Sequence, residues 1–279
     1  MSERIRIGLA QVHSLLGDVN HNLEKHLEYV RKAKEKELDI IVFPELSLTG
    51  YLLRDLAYEI SDKCFKAIEK IREESKGICI VLGCVYEKRI GIYYNSIVVV
   101  CDGEIFGFIP KLYLPNYGLF EESRYFKEGS SKDVKVFEWK GWRFGSVICE
   151  DAWHPEPVEL LARLGADLVF IHASSPLRGL YGKGETFIEN VWRAIAVTRA
   201  VENTVYIAFI NRVGEEDEEF FWGGSMVIDP TGEVIAEGKK MEEDLVVVEL
   251  DKYRLVRARR FSSFKVHRKD IHRILGDLE

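Results

Sequence analysis

The stretch Gly145-Ser-Val-Ile-Cys-Glu-Asp-Ala-Trp-His154 decides the fold, because it carries an apolar run directly into a cysteine that two carboxylates follow. Residues 144–148 have the composition of a short interior strand, and Pro155 and Pro157 favour the start of a helix. Cys149 is therefore predicted on a strand-to-helix turn, where backbone N–H groups could receive developing negative charge. A single cysteine is more often a small buried hydrophobic residue, so the rest of the sequence must decide its role.

Length and charge limit the class of protein. The chain has 279 residues, of which 47% are hydrophobic, and this is enough for one large core. We predict a single domain over residues 1–250 and a C-terminal arm over 251–279 that packs on the domain or on a neighbouring subunit. The net charge of −7 gives no general reason to expect a nucleic acid or an anionic membrane as a partner.

The cysteines indicate a reduced, intracellular protein. Their number is odd, no pair has a metal-type spacing, and most lie in apolar surroundings; they are Cys64, Cys79, Cys84, Cys101 and Cys149. We therefore expect free thiols and no disulfide framework. The N-terminus has no apolar signal segment, and no stretch approaches the roughly twenty apolar residues of a membrane span, so we expect a cytoplasmic location.

Alternating apolar patterns predict many short strands and few helices. The predicted strands cover residues 4–12, 39–43, 78–85, 92–101, 104–109, 134–139, 144–148, 167–172, 204–210, 225–228, 233–236 and 245–250. The predicted helices are one that Asn20 or Asn22 caps and those over 55–75, 156–164 and 185–202. The two halves have a similar rhythm. Together they favour an α/β fold with two mixed sheets stacked face to face and helices outside, over a doubly wound parallel sheet.

Residues 252–273 form a basic arm with interleaved aromatic residues. Such a segment could bind a nucleic acid or an acidic partner. A nucleic-acid footprint normally involves a broadly basic domain, and this chain is net acidic. We therefore favour an arm that packs on a subunit surface.

Three polar residues directly follow apolar strands. They are Glu45 after residues 39–43, Lys111 after the strand that begins at 104, and Cys149. A thiol needs a base, an anionic intermediate needs a fixed positive charge, and a leaving amine needs a proton, and these residue types supply all three. Taken singly, Glu45 and Lys111 would be ordinary surface residues.

The histidines do not favour a metal site. Neither His21 and His26 nor His267 and His272 have the i, i+4 spacing that places two ligands on one helical turn, so we reject a metallohydrolase. Three further histidines are interpreted as structural residues and not as bases: His13, His154 and His172. The glycines at 179–184 and 223–224 are too irregular for a phosphate-binding loop.

Five motifs resemble the carbon–nitrogen hydrolase (nitrilase) superfamily, and they occur in the order of that family. They are Phe43-Pro-Glu45 and the segments at 111–126, 148–153, 211–214 and 224–233. The resemblance implies a four-layer α-β-β-α sandwich, a Glu-Lys-Cys triad, and no metal or organic cofactor. It assigns the triad to Glu45, Lys111 and Cys149. A further family glutamate that positions the lysine and the substrate falls on Glu122, with Glu121 less favoured.

Residues 114–126 are more narrowly similar to the glutaminase domain of glutamine-dependent NAD synthetases. This similarity implies that Tyr117, Glu150, Ser175 and Lys183 hold the substrate. Those enzymes continue into a synthetase domain with a pyrophosphate-binding loop, whereas the present sequence ends at Glu279. The ammonia would then pass to a separate synthetase, or the protein would be a free-standing amidase.

The resulting prediction is a cysteine-dependent hydrolase that releases ammonia from a small carboxylic amide through a thioester, with glutamine or another ω-amide as first choice. A nitrilase, an N-carbamoyl amine hydrolase and a non-catalytic scaffold or regulatory subunit remain as alternatives. The family habit of pairing sandwiches through helices implies a homodimer or a multiple of it.

Overall fold

The computed structural model describes residues 3–178 and 186–262. Its strands are β1 (Arg4–Gln11), β2 (Ile40–Val42), β3 (Cys79–Arg89), β4 (Ile92–Cys101), β5 (Glu104–Pro110), β6 (Phe137–Trp139), β7 (Trp142–Ile148), β8 (Leu168–Ala173), β9 (Tyr206–Asn211), β10 (Val213–Glu216), β11 (Glu219–Trp222), β12 (Met226–Ile228), β13 (Val234–Glu237) and β14 (Asp244–Asp251). Its α-helices are α1 (Val19–Glu35), α2 (Ala57–Glu74), α3 (Glu122–Tyr125), α4 (Pro155–Arg163), α5 (Phe187–Asn203) and α6 (Lys252–Phe261).

Two six-stranded sheets share one arrangement. The first has the order β14-β1-β2-β3-β4-β5, and the second has the order β13-β12-β9-β8-β7-β6. In each sheet three consecutive parallel strands form the centre, namely β1, β2 and β3 in the first and β7, β8 and β9 in the second. Antiparallel strands flank the three on both sides. The similar rhythm of the two halves of the sequence reflects this repeated sheet pattern.

Three apolar clusters define four layers. Alternate residues of β1 (Ile5, Ile7 and Leu9) meet Phe144 and Phe170 of the second sheet in the central cluster. The opposite face of the first sheet packs against α1 and α2, and the opposite face of the second packs against α4 and α5. The order of layers is therefore helix, sheet, sheet, helix, which confirms the predicted α-β-β-α sandwich.

The N-terminus of α1 differs from the prediction. Asp18, and neither Asn20 nor Asn22, caps the helix by accepting a hydrogen bond from the backbone N–H of His21. Asn22 is buried and uses its side-chain amide to bond the backbone of Leu15 and Leu48. It serves tertiary packing, so local capping preference did not identify its role.

The expectation of free thiols was wrong for two cysteines. Cys79 and Cys101 are directly opposite in the β3–β4 register, with their Cα atoms 4.0 Å apart, and they form a disulfide. Cys64, Cys84 and Cys149 are free. The pairing depends on the register of an antiparallel hairpin, which cysteine spacing alone does not indicate. It also removes the main argument from cysteine usage for a reducing compartment.

The β10–β11 hairpin was not predicted. Its loop residues Asp217 and Glu218 both have positive φ angles, of 48° and 68°. The sequence around them is acidic, which is typical of an exposed loop, but Glu216 is buried. It forms an ion pair with Arg212, whose Nη1 lies 2.7 Å from Glu216 Oε2.

The described part of the basic arm packs on its own domain. Leu255 of α6 joins the cluster between the sheets, and Arg259 bonds the carboxylate of Asp167. The basic residues beyond Ser262 lie outside the described residues, so the division at residue 250 and the contact with a second subunit remain predictions. None of the helices within residues 3–178 and 186–262 is long and apolar enough to cross a membrane.

Candidate active site

The predicted catalytic residues lie at one end of the sandwich. Glu45 follows β2, Lys111 follows β5, and Cys149 follows β7. Strand β5 is antiparallel to β4, which is antiparallel to β3, so β5 runs in the same direction as β2 and ends at the same edge. The two sheets therefore contribute different parts of one site, with the acid and the lysine on the first and the cysteine on the second.

Lys111 is completely buried between two carboxylates. Its Nζ lies 2.7 Å from Glu45 Oε1 and 2.6 Å from Glu122 Oε1. Burial alone lowers the pKa of Lys111, but the charges of Glu122 and Glu45 outweigh it, and the pKa lies well above its ordinary value. The lysine therefore carries a fixed positive charge at neutral pH.

Polar neighbours hold the two carboxylates in place. Glu45 accepts hydrogen bonds from Asn95 Nδ2 at 2.8 Å and from the backbone N–H of Ser174 at 2.9 Å. Glu122 accepts one from the hydroxyl of Tyr51. Burial raises the pKa of Glu122, and Lys111 opposes that rise. Sequence reasoning did not identify Tyr51 or Asn95, because their roles follow from contacts between distant segments.

Cys149 adopts a strained backbone conformation, with φ at 45°, at the junction of β7 and a short 3₁₀ helix (Cys149–Trp153). Left-handed geometry is uncommon outside glycine, and it directs a side chain out of a sharp strand-to-helix turn. Burial raises the pKa of Cys149 well above its ordinary value; Glu45 adds to the rise and Lys111 opposes it. The resting thiol is therefore protonated and needs a base, and Glu45 is among the charged groups that act on it.

Asp151 joins the cysteine turn to the lysine loop. One of its carboxylate oxygens accepts the backbone N–H groups of Leu112 and Tyr113 at 2.9 and 2.8 Å, and the other accepts that of Ile148 at 2.9 Å. Burial raises the pKa of Asp151 to about 7, although these three donors favour its ionised form. The sequence shows this acid two residues after Cys149, but only the structure shows that it connects the two sheets.

Two of the four predicted substrate-binding residues, Tyr117 and Glu150, lie together near Cys149. The hydroxyl of Tyr117 donates to Glu150 Oε2 at 2.6 Å, and Tyr117 is exposed. Burial and the neighbouring Glu150 raise the pKa of Tyr117, so it remains a neutral donor. Ser175 is buried, and its hydroxyl accepts a hydrogen bond from Trp192 Nε1 at 2.8 Å. Lys183 lies outside the described residues.

Two histidines near the site, His172 and His154, make contacts that hold the fold. His172 joins the carbonyl of Phe43 at 2.7 Å to the hydroxyl of Ser146 at 3.0 Å, and burial lowers its pKa to about 4. His154 stacks on Tyr113 with 3.8 Å between ring centroids. In the described ranges no group of three or more His, Cys, Asp and Glu side chains could hold a metal ion.

The chain belongs to the carbon–nitrogen hydrolase family, whose sequence model matches residues 6–260. It is therefore an enzyme of the carbon–nitrogen hydrolase type, as the sequence motifs predicted.

Particular relatives narrow the comparison. The chain is 37% identical over 255 residues to a glutamine-dependent NAD(+) synthetase of Thermotoga maritima, a match that covers 89% of this chain and 42% of that protein. It is 31% identical over 239 residues to a 2-oxoglutaramate amidase of Bacillus subtilis, covering 84% of this chain and 86% of the relative. The chain thus spans less than half of the NAD synthetase but most of the length of the amidase.

Solved structures have the same fold. A glutamine-dependent NAD+ synthetase of Acinetobacter baumannii superposes with a TM-score of 0.81 at 33% identity, over 90% of this chain and 46% of that one. An amidase of Nesterenkonia sp. superposes with a TM-score of 0.83 at 25% identity, over 99% and 98% of the two chains. One structure of the Nesterenkonia amidase carries acrylamide added to its active-site cysteine.

Proposed function

We propose that this enzyme hydrolyses a small carboxylic amide through a thioester on Cys149 and releases ammonia, with glutamine as the preferred substrate. The observation that carries the proposal is the buried Lys111, held 2.7 Å from Glu45 and 2.6 Å from Glu122 at the same edge as the cysteine. A buried ion cluster contributes little net stability, because the cost of desolvating the charges offsets much of their attraction. A fixed cation beside a thiol is well suited to stabilise an oxyanion.

The first half of the proposed reaction forms the thioester. Glu45 accepts the proton of Cys149 as the sulfur bonds to the amide carbon, and the electron pair of the C=O bond moves to oxygen. Lys111, with the backbone N–H of Glu150, stabilises this oxyanion. When the C=O bond re-forms, the C–N bond breaks and Glu45 gives its proton to the leaving nitrogen, which departs as ammonia.

The second half releases the acid. Glu45 accepts a proton from water, whose oxygen attacks the thioester carbon. Lys111 again stabilises the oxyanion, the C–S bond breaks, and the proton on Glu45 returns to the sulfur of Cys149. One amide and one water are consumed, and one carboxylic acid and one ammonia are formed. Glu122 holds Lys111 in position throughout and exchanges no proton.

The preference for glutamine rests on Glu150. This carboxylate accepts a hydrogen bond from the neutral hydroxyl of Tyr117. Among residues 3–178 and 186–262 its one ion-pair partner is His154, whose Nε2 lies 3.9 Å from Glu150 Oε1 and is charged only when protonated. A carboxylate next to the nucleophile favours an ammonium group on the substrate. Glutamine carries an α-ammonium group, and 2-oxoglutaramate does not.

A second candidate is hydrolysis of 2-oxoglutaramate. It is supported by the similarity to the Bacillus subtilis 2-oxoglutaramate amidase, which this chain matches over 86% of that protein's length. Nitriles and N-carbamoyl amines use the same reacting groups, and no feature of the described site selects them. Delivery of the ammonia to a separate synthetase also remains a proposal, and so does the cytoplasmic location.

Ammonia release over a substrate panel tests the proposal. The panel contains glutamine, asparagine, 2-oxoglutaramate, an N-carbamoyl amine and a simple nitrile. We expect turnover of glutamine to be fastest, and Cys149→Ala to abolish it without a change in thermal unfolding. Cys64→Ala is the matched control, since it removes a free cysteine of the α2 helix that lies outside the site. Normal activity of Cys149→Ala would eliminate the mechanism, and faster turnover of 2-oxoglutaramate would eliminate the glutamine preference.

A further inference from the structure

Asn95 lies between the two carboxylates that hold Lys111, and the mechanism above gives it no part. It is completely buried on β4, and its Nδ2 lies 2.8 Å from Glu45 Oε1 and 3.4 Å from Glu122 Oε2. An ionised carboxylate only accepts hydrogen bonds, so the NH₂ of the amide, and not its oxygen, faces both groups. Asn95 therefore donates to each carboxylate and links the two.

The strand register places this amide. Side chains alternate along a strand, and Ile97 and Val99 of β4 belong to the cluster between the two sheets, so Asn95 also projects into the space between the sheets. The carbonyl of Asn95 accepts the backbone N–H of Lys111 at 2.8 Å. The position of the amide relative to the lysine is thus fixed by the pairing of β4 with β5.

The other end of the Asn95 side chain costs the fold free energy. Its Oδ1 is buried and has no hydrogen-bond partner in the two described ranges, 3–178 and 186–262. A buried acceptor without a partner destabilises a folded protein. Fold stability alone is therefore a poor explanation for an amide at this position, and its bonds to the two carboxylates are a better one.

The two oxygens of Glu45 have different surroundings. Oε1 accepts hydrogen bonds from Lys111 Nζ at 2.7 Å and from Asn95 Nδ2 at 2.8 Å. Oε2 accepts one from the backbone N–H of Ser174 at 2.9 Å. A carboxylate oxygen has about two lone-pair sites, so both sites of Oε1 are occupied, and Oε2 keeps one for a proton.

We propose that Asn95 is a positioning residue for the base: with Lys111 it occupies Oε1 of Glu45 and so directs the transferred proton to Oε2. The proton of the Cys149 thiol binds Oε2 and passes from there to the leaving nitrogen. In the second half a proton from water binds Oε2 and returns to the sulfur. This inference rests on the proposed amide hydrolysis and adds the residue that selects the proton-carrying oxygen.

The pH dependence of kcat tests this role. A hydrogen bond to the ionised form of a carboxylate favours that form, so Glu45 should keep a proton to higher pH in Asn95→Ala. With glutamine, kcat at the optimum should fall roughly 10- to 100-fold, and KM should change less. The midpoint of the acidic limb of the kcat profile should rise by about one pH unit.

Asn95→Asp separates the loss of the donor from the loss of volume. It keeps the shape of the side chain but replaces the NH₂ by a carboxyl oxygen, so it should be at least as slow as Asn95→Ala. A wild-type rate for Asn95→Asp would show that only the volume of the side chain matters, and would overturn the inference.

A double variant assigns the acidic limb to one carboxylate. Within residues 3–178 and 186–262, the side chains whose titration depends on the charge of Glu45 are Tyr51, Lys111, Glu122 and Cys149. Burial raises the pKa of Tyr51 and of Cys149 well above their ordinary values, and Lys111 stays charged, so none of the three titrates in the acidic limb. Addition of Asn95→Ala to Glu122→Gln should therefore still raise the midpoint. A midpoint that does not move in this background would assign the limb to Glu122 and overturn the inference.

Asn22→Ala is the matched control. Asn22 is also buried, but its amide bonds the backbone of Leu15 and Leu48 and not a carboxylate. Its replacement should lower the free energy of unfolding and leave the midpoint of the acidic limb in place. An Asn95→Ala variant that is slow without a shift of its midpoint would have a purely structural defect, which would overturn the inference.

Alkylation of Cys149 keeps this inference separate from the proposed function, because it requires no amide turnover. The rate of reaction with iodoacetamide, measured against pH, should show the same upward shift of the acidic limb in Asn95→Ala. If the enzyme hydrolyses no amide but this limb shifts, the proposed function fails and the role of Asn95 stands. If amides are hydrolysed and neither profile shifts, the role of Asn95 fails and the proposed function stands.

Discussion

Replacement of Glu122 by glutamine tests the buried cluster in the most direct way. The substitution removes one negative charge and keeps an oxygen that can accept a hydrogen bond from Lys111. Lys111, now 2.6 Å from Glu122 and 2.7 Å from Glu45, would then be attracted wholly to Glu45, the carboxylate that must collect the proton of Cys149. A hydrogen bond to a charged group contributes about 1.5–3 kcal/mol, so kcat should fall roughly 10- to 100-fold. KM should change less than kcat, because in the proposed mechanism Glu122 acts mainly through Lys111.

The free energy of unfolding should change much less than kcat in Glu122→Gln. The cluster of Lys111, Glu45 and Glu122 has one more negative charge than positive charge, and burial already raises the pKa of Glu122. Removal of a buried excess charge offsets the weaker hydrogen bond, so the free energy of unfolding should stay within about 1 kcal/mol of the wild-type value. The variant should therefore be slow but folded.

The assay pairs steady-state ammonia release with urea unfolding. Glu121→Gln is the matched control, since it removes the same charge from the adjacent, exposed residue. A kcat within about twofold of wild type for Glu122→Gln would refute the positioning role. A stability loss above about 3 kcal/mol would show that the residue mainly holds the fold. A larger kcat loss for Glu121→Gln would mean that the wrong glutamate was chosen.

Three further predictions concern the surroundings of the site and the assembly. Asp151→Asn should lower kcat by roughly tenfold and the free energy of unfolding by about 1–3 kcal/mol, because the new amide NH₂ would face the backbone N–H of Ile148 and leave it without an acceptor. Ammonia release measures kcat and urea unfolding measures the stability, and an unchanged kcat would contradict the prediction. Stability should decrease as the pH falls from 6.5 to about 4, because burial lowers the pKa of His26 and His172 to about 4 and at these two side chains only the unfolded chain takes up protons in that window. Asp151, whose pKa in the folded chain is raised to about 7, takes up its proton in the folded chain and offsets part of this loss. The loss should approach about 3 kcal/mol for each histidine, and a pH-independent unfolding free energy would contradict it. The enzyme should elute as a homodimer or a multiple of it in light-scattering chromatography, whereas a monomer at micromolar concentration would contradict the family expectation.

Local sequence signals correctly predicted the ends of several strands and the strand-to-helix turn at Cys149. Runs of apolar residues that stop at a polar residue locate Glu45, Lys111 and Cys149 independently of long-range contacts, because strand burial and turn chemistry are local properties. The family motifs then placed Glu122, which the structure brings within 2.6 Å of Lys111. Their shared position at one edge follows from the direction of the strands.

Features that depend on long-range register could not be predicted in the same way. The Cys79–Cys101 pairing needs the alignment of β3 with β4. The roles of Asn22 and Asp151 depend on backbone groups from distant segments. A buried asparagine and a capping asparagine have the same local sequence preference, so only the packed structure distinguishes them.

The division of the site between the two sheets links catalysis to the mechanical integrity of the sandwich. Neither half of the chain carries the whole proposed reaction centre, since Glu45 and Lys111 follow strands of one sheet and Cys149 follows a strand of the other. In the proposed mechanism, a fluctuation that separates the two sheets would move Cys149 away from Glu45 and Lys111 while both helical layers are still folded. We therefore expect the catalytic rate to fall before secondary structure is lost when the interface between the two sheets is weakened.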